Sequence, residues 1–220
     1  MRFVLLCAIV LSSGTSFAEP SPVADGTGDT VTAVQRRTLR QAHRLEMLPY
    51  GQLSIADPYL QRWGGGLRAL YHLREGLAFG LDGHALATYA TQELVIARRE
   101  LKARVIDSRE RVALSALASI APLYGKVALP GDLLVHFEIF FDAGLGGAFT
   151  ETDSGHGVRP MLIAGVGQRV FLNDSFALTG RLGGDFYAER VLVNGLPSTK
   201  ATGFWSLTFG FSIYLPGTDR

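Results

Sequence analysis

Between Gly203 and Leu215 the chain reads GFWSLTFGFSIYL, and large apolar residues alternate with small or polar ones along almost all of it. Trp205, Leu207, Phe209, Phe211, Ile213 and Leu215 share one parity; Ser206, Thr208, Gly210 and Ser212 share the other. Successive side chains of a strand point to opposite faces, so this segment has one greasy side and one small, polar side. The greasy side is too apolar for water. A strand of about 9–11 residues crosses a bilayer when its apolar face meets lipid, and only a closed barrel leaves no unpaired edge there. The segment therefore predicts a transmembrane barrel strand.

The N-terminus agrees with export. Met1-Arg2 supplies positive charge, Phe3 to Leu11 an apolar core, and Ser16-Phe17-Ala18 a small-x-small cleavage site before Glu19-Pro20, so residues 1–18 read as a cleaved signal peptide. Cys7, the single cysteine, lies inside it and follows Leu6 where a lipoprotein signal wants a small residue. The exported chain is thus expected to carry no disulfide, lipid anchor or thiol chemistry. Past the signal, the most apolar stretch, Val112 to Gly125, is bounded by Arg111 and Lys126 and is too short for a spanning helix. A formal charge of +1 argues against a nucleic-acid binder, and 26 glycines suit a β-rich domain. A barrel or a soluble periplasmic β-domain remains.

Alternating segments between turn signals place eight strands near 44–54, 62–73, 77–89, 117–129, 132–147, 159–172, 175–188 and 203–215. Arg74-Glu75-Gly76, Pro130-Gly131 and Asn173-Asp174 read as tight turns; the stretches near 55–61, 90–116, 148–158 and 189–202 read as longer connections. The expected fold is all-β: an eight-stranded antiparallel transmembrane barrel with short periplasmic turns and longer extracellular loops. Residues 19–43 read as a flexible periplasmic segment, 44–215 as the barrel and 216–220 as a tail.

A single register has to keep charge off the lipid face. It turns Trp63, Leu67, Tyr71, Leu77, Phe79, Leu81, Leu133, Val135, Phe137, Ile139, Phe141, Phe176, Leu178, Leu182 and Phe186 outward. Arg44, Arg68, Lys126, Arg169 and Arg181 then meet Glu46, Asp82, Glu138, Asp142 and Asp185 inside, five charges of each sign. Such a balance predicts a packed ionic network, and eight strands enclose a lumen that side chains can just fill. An open porin is disfavoured. His72, His84 and His136 also face inward near Asp82, Glu138 and Asp142, but their spacing matches no ligand motif, so neither metal nor cofactor is expected. No serine stands in a nucleophile context, so no catalysis is expected. Gly64-Gly65-Gly66 and the glycines at 144, 146 and 147 lie within or at the ends of strands rather than before helices, which suits relief of crowding, not phosphate binding.

Glu93 to Arg111 stands apart. Leu94, Ala97, Leu101 and Val105 recur at helical spacing, and Arg98, Arg99, Lys102 and Arg104 make it basic. On the expected topology it is extracellular, either as a solvated loop or extended strands, or as a surface that meets lipopolysaccharide phosphates or a partner.

The blocks Val34-Gln35-Arg36-Arg37, Arg44-Leu45-Glu46-Met47-Leu48-Pro49, Asp57-Pro58-Tyr59, Tyr71-His72-Leu73-Arg74-Glu75, Pro122-Leu123-Tyr124-Gly125-Lys126 and Gly165-Val166-Gly167-Gln168-Arg169-Val170-Phe171-Leu172 span nearly all of the exported chain. In them the chain resembles the small outer-membrane β-barrel proteins abundant in myxobacteria. The resemblance implies a barrel in an envelope, with some relatives associated with envelope complexes, including gliding-motility machinery. Thr208, Gly210, Ile213 and Leu215 likewise resemble the signal read by the barrel-assembly machinery, although Leu215 stands where many barrels end in an aromatic. The expected partners are outer-membrane lipids, the assembly machinery and other envelope proteins. The expected role is structural or anchoring; a narrow channel, a lipid-modifying enzyme and a soluble periplasmic binding domain are the alternatives.

Overall fold

The computed structural model describes residues 41–100, 108–129, 133–152, 155–193 and 196–216. Its strands are β1 (Leu45–Ile55), β2 (Leu60–Arg74), β3 (Leu77–Ala90), β4 (Arg109–Leu129), β5 (Leu133–Thr152), β6 (Gly155–Phe171), β7 (Phe176–Val193) and β8 (Leu196–Leu215), with one helix, α1 (Gln92–Glu100), between β3 and β4. Each strand pairs antiparallel with its sequence neighbours, and β1 pairs with β8 through Leu45↔Leu215, Tyr50↔Gly210 and Ile55↔Trp205, closing the ring. All eight expected strands are present.

Alternation decides the two faces. In β8, Trp205, Phe209, Phe211 and Leu215 are exposed while Phe204, Ser206, Thr208, Ser212 and Tyr214 are buried. The outward set continues around the ring through Trp63, Leu67, Tyr71, Phe79, Leu81, Leu114, Phe141, Leu162, Leu178 and Leu182, all exposed. No soluble protein leaves an apolar belt of this extent in water, whereas lipid solvates it without cost. Stacked Trp63 and Tyr89, with ring centres 6.1 Å apart, and edge-on Phe186 and Trp205, at 5.7 Å, lie toward the end opposite the start of β1. Aromatic side chains prefer such interfacial levels.

The end at which β1 starts and β8 finishes, the terminal end of the barrel, has tight turns. Gly76, at φ +76°, links β2 to β3, a left-handed backbone that favours glycine. Asn173 accepts the amides of Ser175 and Phe176 on Oδ1 at 2.9 and 2.8 Å, an Asx turn that reverses β6 into β7. The expected Pro130-Gly131 turn lies outside the described residues.

The opposite end departs from expectation. The segments 148–158 and 189–202, expected as loops, are mostly strand: β5 and β6 run to Thr152 and from Gly155, β7 and β8 to Val193 and from Leu196. These hairpins outrun the roughly 9–11 residues a crossing needs, since β5 has 20 residues and β8 has 20, against 11 in β1. Their backbone groups pair with each other beyond the apolar belt, so no loop is needed to satisfy them. The expected connection 90–116 also shortens, because β4 starts at Arg109. Between β3 and β4, Thr91 caps α1, its Oγ1 accepting the Leu94 amide at 3.5 Å. Leu94 is buried, while Val95 and Ile96 are exposed.

Two further departures concern β4 and the start of the barrel. Between Ile120↔Phe141 and Leu123↔Ile139, β4 carries an extra residue, a bulge that contains Pro122 and reverses the in–out parity beyond it. Residues 41–43, expected in the flexible lead, dock onto the barrel: the amides of Gln41 and Ala42 donate to Glu75 Oε1 at 2.9 and 3.1 Å, and the His43 amide donates to the His72 carbonyl at 2.7 Å. The expected signal peptide 1–18, residues 19–40 and most of the expected 216–220 tail lie outside the described residues.

Candidate functional site

The lumen holds the charged side chains, in two groups. In the group nearer the termini, Arg169 of β6 donates from Nε to Glu46 Oε1 of β1 at 3.0 Å and from Nη1 to Glu138 Oε1 of β5 at 2.7 Å. His72 Nε2 lies 2.8 Å from the second Glu46 oxygen, Ser212 donates to Glu46 Oε1, and Gln41 Nε2 donates to Glu138 Oε2 at 2.9 Å. Phe140 stacks beneath the Arg169 guanidinium, 4.1 Å from its carbon to the ring centre. Gln41, Glu46, His72, Glu138, Arg169 and Ser212 are all buried.

In the second group, toward the far end, Arg68 of β2 donates to Asp82 of β3 at 2.6 Å and to Asp142 of β5 at 2.7 Å. Arg181 of β7 grips Asp142 through Nε and Nη2, at 2.8 Å to each of its oxygens. Its guanidinium lies across Gly165 and Gly183, which face each other on β6 and β7; a Cβ on either would collide with it. Tyr50 donates its hydroxyl to Asp82 Oδ1 at 2.8 Å. His84 joins this group with Nδ1 3.3 Å from Asp82 Oδ1 and Nε2 2.7 Å from Glu110 Oε1. Asp185 Oδ2 lies 4.0 Å from the same Nε2 and accepts from Gln52 Nε2 at 3.0 Å. One ligand atom from each of His84, Glu110 and Asp185 falls within 4.8 Å of the others, and all three residues are buried. Beyond them, Arg62 donates to Asp57 at 2.6 Å and to the Ser108 carbonyl at 3.2 Å.

Little space is left among the side chains of the second group. Tyr50, Gln52, Arg68, Asp82, His84, Arg181, Asp185 and Thr208 surround a cavity of about 10 Å³, room for about one water. A larger groove, about 450 Å³, lies between β6 and β7, lined by Leu145, Pro160, Leu162, Phe186 and Gly203 among others. The pairing of these strands ends at Met161↔Tyr187. Pro160, with no N–H to offer a ladder, stands just beyond that point.

Of the ten residues expected in one ionic network, Glu46, Glu138 and Arg169 meet in the first group, and Arg68, Asp82, Asp142, Arg181 and Asp185 gather in the second. Arg44 and Lys126 belong to neither. Arg44 precedes β1 and donates to the carbonyls of Asp174, Tyr214 and Leu215, tying the rim together. Lys126 falls past the bulge, opposite His136, and is exposed at the end of β4. The three inward histidines do not converge: His72 is in the first group, His84 in the second, and His136 stacks with Tyr124 at 6.0 Å.

Sequence reasoning missed Glu110, Gln52, Tyr50 and Gln41. Glu110 lies within the expected connection 90–116, and only the structure shows that it and Ser108 are buried on either side of half-buried Arg109. Along β8, Thr208 is buried, Gly210 shares its parity, and Ile213 and Leu215 face outward near the terminal rim. Arg98 and Arg99 belong to α1; their side chains, and Lys102 and Arg104 entirely, lie outside the described residues.

A closed ring of eight antiparallel strands, apolar outside and ionic within, defines a transmembrane β-barrel. No protein-family model matches the chain, and no curated protein matches it in sequence. Among solved structures it is similar to the N-terminal β-barrel domain of Pseudomonas aeruginosa OprF, at 13% identity over 79% of this chain and 98% of that one, with a TM-score of 0.45. It is similar also to Neisserial surface protein A, at 12% identity over 77% and 96%, TM-score 0.46. The outer membrane protein OprG from Pseudomonas aeruginosa shares 12% identity over 80% and 98%, TM-score 0.44.

Proposed function

We propose that this protein is an outer-membrane β-barrel of a Gram-negative-type cell, exported through a cleaved signal peptide, which acts as a structural or anchoring component without catalysis. One observation carries this reading: guanidinium groups tie non-adjacent strands across the lumen, Arg169 joining β6 to β1 and Arg68 joining β2 to β5. Ions conduct only where charged walls line water, and here the walls touch each other. On this reading the long hairpins and α1 face outside, where the basic residues around Arg98 and Arg99 meet lipopolysaccharide phosphates or another envelope protein. The kinship with small myxobacterial-type barrels and the assembly signal at Thr208, Gly210, Ile213 and Leu215 belong to the same proposal.

The test is conductance across a planar lipid bilayer containing the refolded protein. Steady single-channel currents are expected to be absent. Sustained ohmic conductance that scales with salt concentration would replace the structural role with a channel.

A further inference from the structure

We propose that His84, Glu110 and Asp185 form a binding site for one divalent transition-metal ion, of the Zn²⁺ class, inside the barrel. An imidazole with two carboxylates is a ligand set such ions accept, leaving one position for water. The residues come from three strands, β3, β4 and β7, and converge only because the ring closes.

Three observations beyond proximity point to a cation. First, Glu110 is wholly buried, yet its Oε2 has no hydrogen-bond partner. An orphaned carboxylate oxygen in so dry a place is costly, and a cation is the partner that would satisfy it. Second, the residues around the ligands are arranged as in metal sites. Asp82 Oδ1 lies 3.3 Å from His84 Nδ1 and is positioned to accept its proton, which turns Nε2 toward the two carboxylates. Gln52 orients Asp185 by donating to Oδ2 at 3.0 Å. Third, Arg68 and Arg181 face four carboxylates, Asp82, Asp142, Glu110 and Asp185, so the guanidinium charge of this group leaves an excess of acid. One divalent ion removes that excess. Binding requires His84 Nε2 without its proton, so an imidazolium releases one proton to solvent as the ion enters and the bond to Glu110 Oε1 gives way to coordination.

The experiment uses the full exported chain, free of any histidine tag, refolded in detergent micelles and stripped with chelator. Titration with Zn²⁺ is expected to show one ion bound per chain, proton release, and a raised unfolding temperature; Co²⁺ is expected to give visible ligand-field absorption. Glu110→Gln and Asp185→Asn each abolish the metal-dependent rise in unfolding temperature while leaving the chelator-treated barrel folded. Substituting the exposed His43 and His156 and the half-buried His136 by Ala leaves that rise intact. X-ray absorption of the zinc-loaded wild type, which needs no variant, shows one imidazole among oxygen ligands. Absence of binding, binding that survives Glu110→Gln or Asp185→Asn, or a spectrum with several imidazoles would each overturn the site.

Discussion

The two ionic groups in the lumen use similar side chains to opposite ends. Near the termini, every carboxylate oxygen of Glu46 and Glu138 has a partner: Arg169 lies between them, and His72, Ser212 and Gln41 complete them. The atoms left without partners there, Gln41 Oε1, His72 Nδ1, Arg169 Nη2 and the Tyr214 hydroxyl, belong to no carboxylate. Toward the far end, Asp82 and Asp142 are equally well held, but Glu110 keeps a buried oxygen with no partner beside Asp185. A buried ion pair that is fully met stays in place because losing either member strands the other, whereas a surplus of one sign invites a counter-ion. The first group is a plug and the second a socket.

The largest effect should come from removing the central cation of the plug. Arg169→Met leaves Glu46 and Glu138 facing each other in the dark of the lumen, and urea unfolding in phospholipid vesicles should show a loss of about 3–5 kcal/mol. A loss below about 1 kcal/mol would break the contrast, because the plug would then carry no structural weight. Next comes the lipid face: Phe209→Arg should cost about 2–4 kcal/mol in the same assay, since lipid cannot solvate the charge. A barrel that tolerates Phe209→Arg would have its faces inverted and its ionic groups outside.

The sharpest division between plug and socket is a matched pair of neutralised acids, measured with chelator present. Glu138→Gln weakens bonds to Arg169 and Gln41 and should destabilise by about 1–3 kcal/mol, whereas Glu110→Gln removes surplus charge and should shift stability by less than about 1 kcal/mol. Equal losses in the two variants would mean that Glu110 is as well compensated as Glu138. The smallest effect is expected at Arg111, whose pair with Glu151 at 2.9 Å is roughly two-fifths exposed on both sides. Arg111→Ala should change stability by about 0–1 kcal/mol, and added salt should erase the difference.

Much of the wall was legible because the period of a strand is two. Phe209 and Ser206 could be sent to opposite faces without knowing any neighbour, and the same parity put Glu138, Asp142, Arg169, Arg181 and Asp185 inside. Parity says nothing of height along the barrel: past the β4 bulge Lys126 pairs with inward His136, yet it lies exposed at the rim and joins neither ionic group. Charge content failed as a guide to loops. Arg109, Glu110 and Arg111 looked like a solvated connection, yet Glu110 points inward on a strand that continues past the membrane. Gln41 was assigned to a loose lead because nothing local shows that its amide reaches Glu138, 97 residues away.

The sequence by itself determined the number of strands and the lipid-facing set, since both follow from alternation along a single chain. Tertiary structure alone decided which charges meet. Glu46 and Arg169 stand on strands that are not neighbours in the ring, and His84, Glu110 and Asp185 come from three different strands. Contacts across a lumen depend on the stagger and tilt with which the ring closes, quantities set by all eight pairings together and by no segment alone.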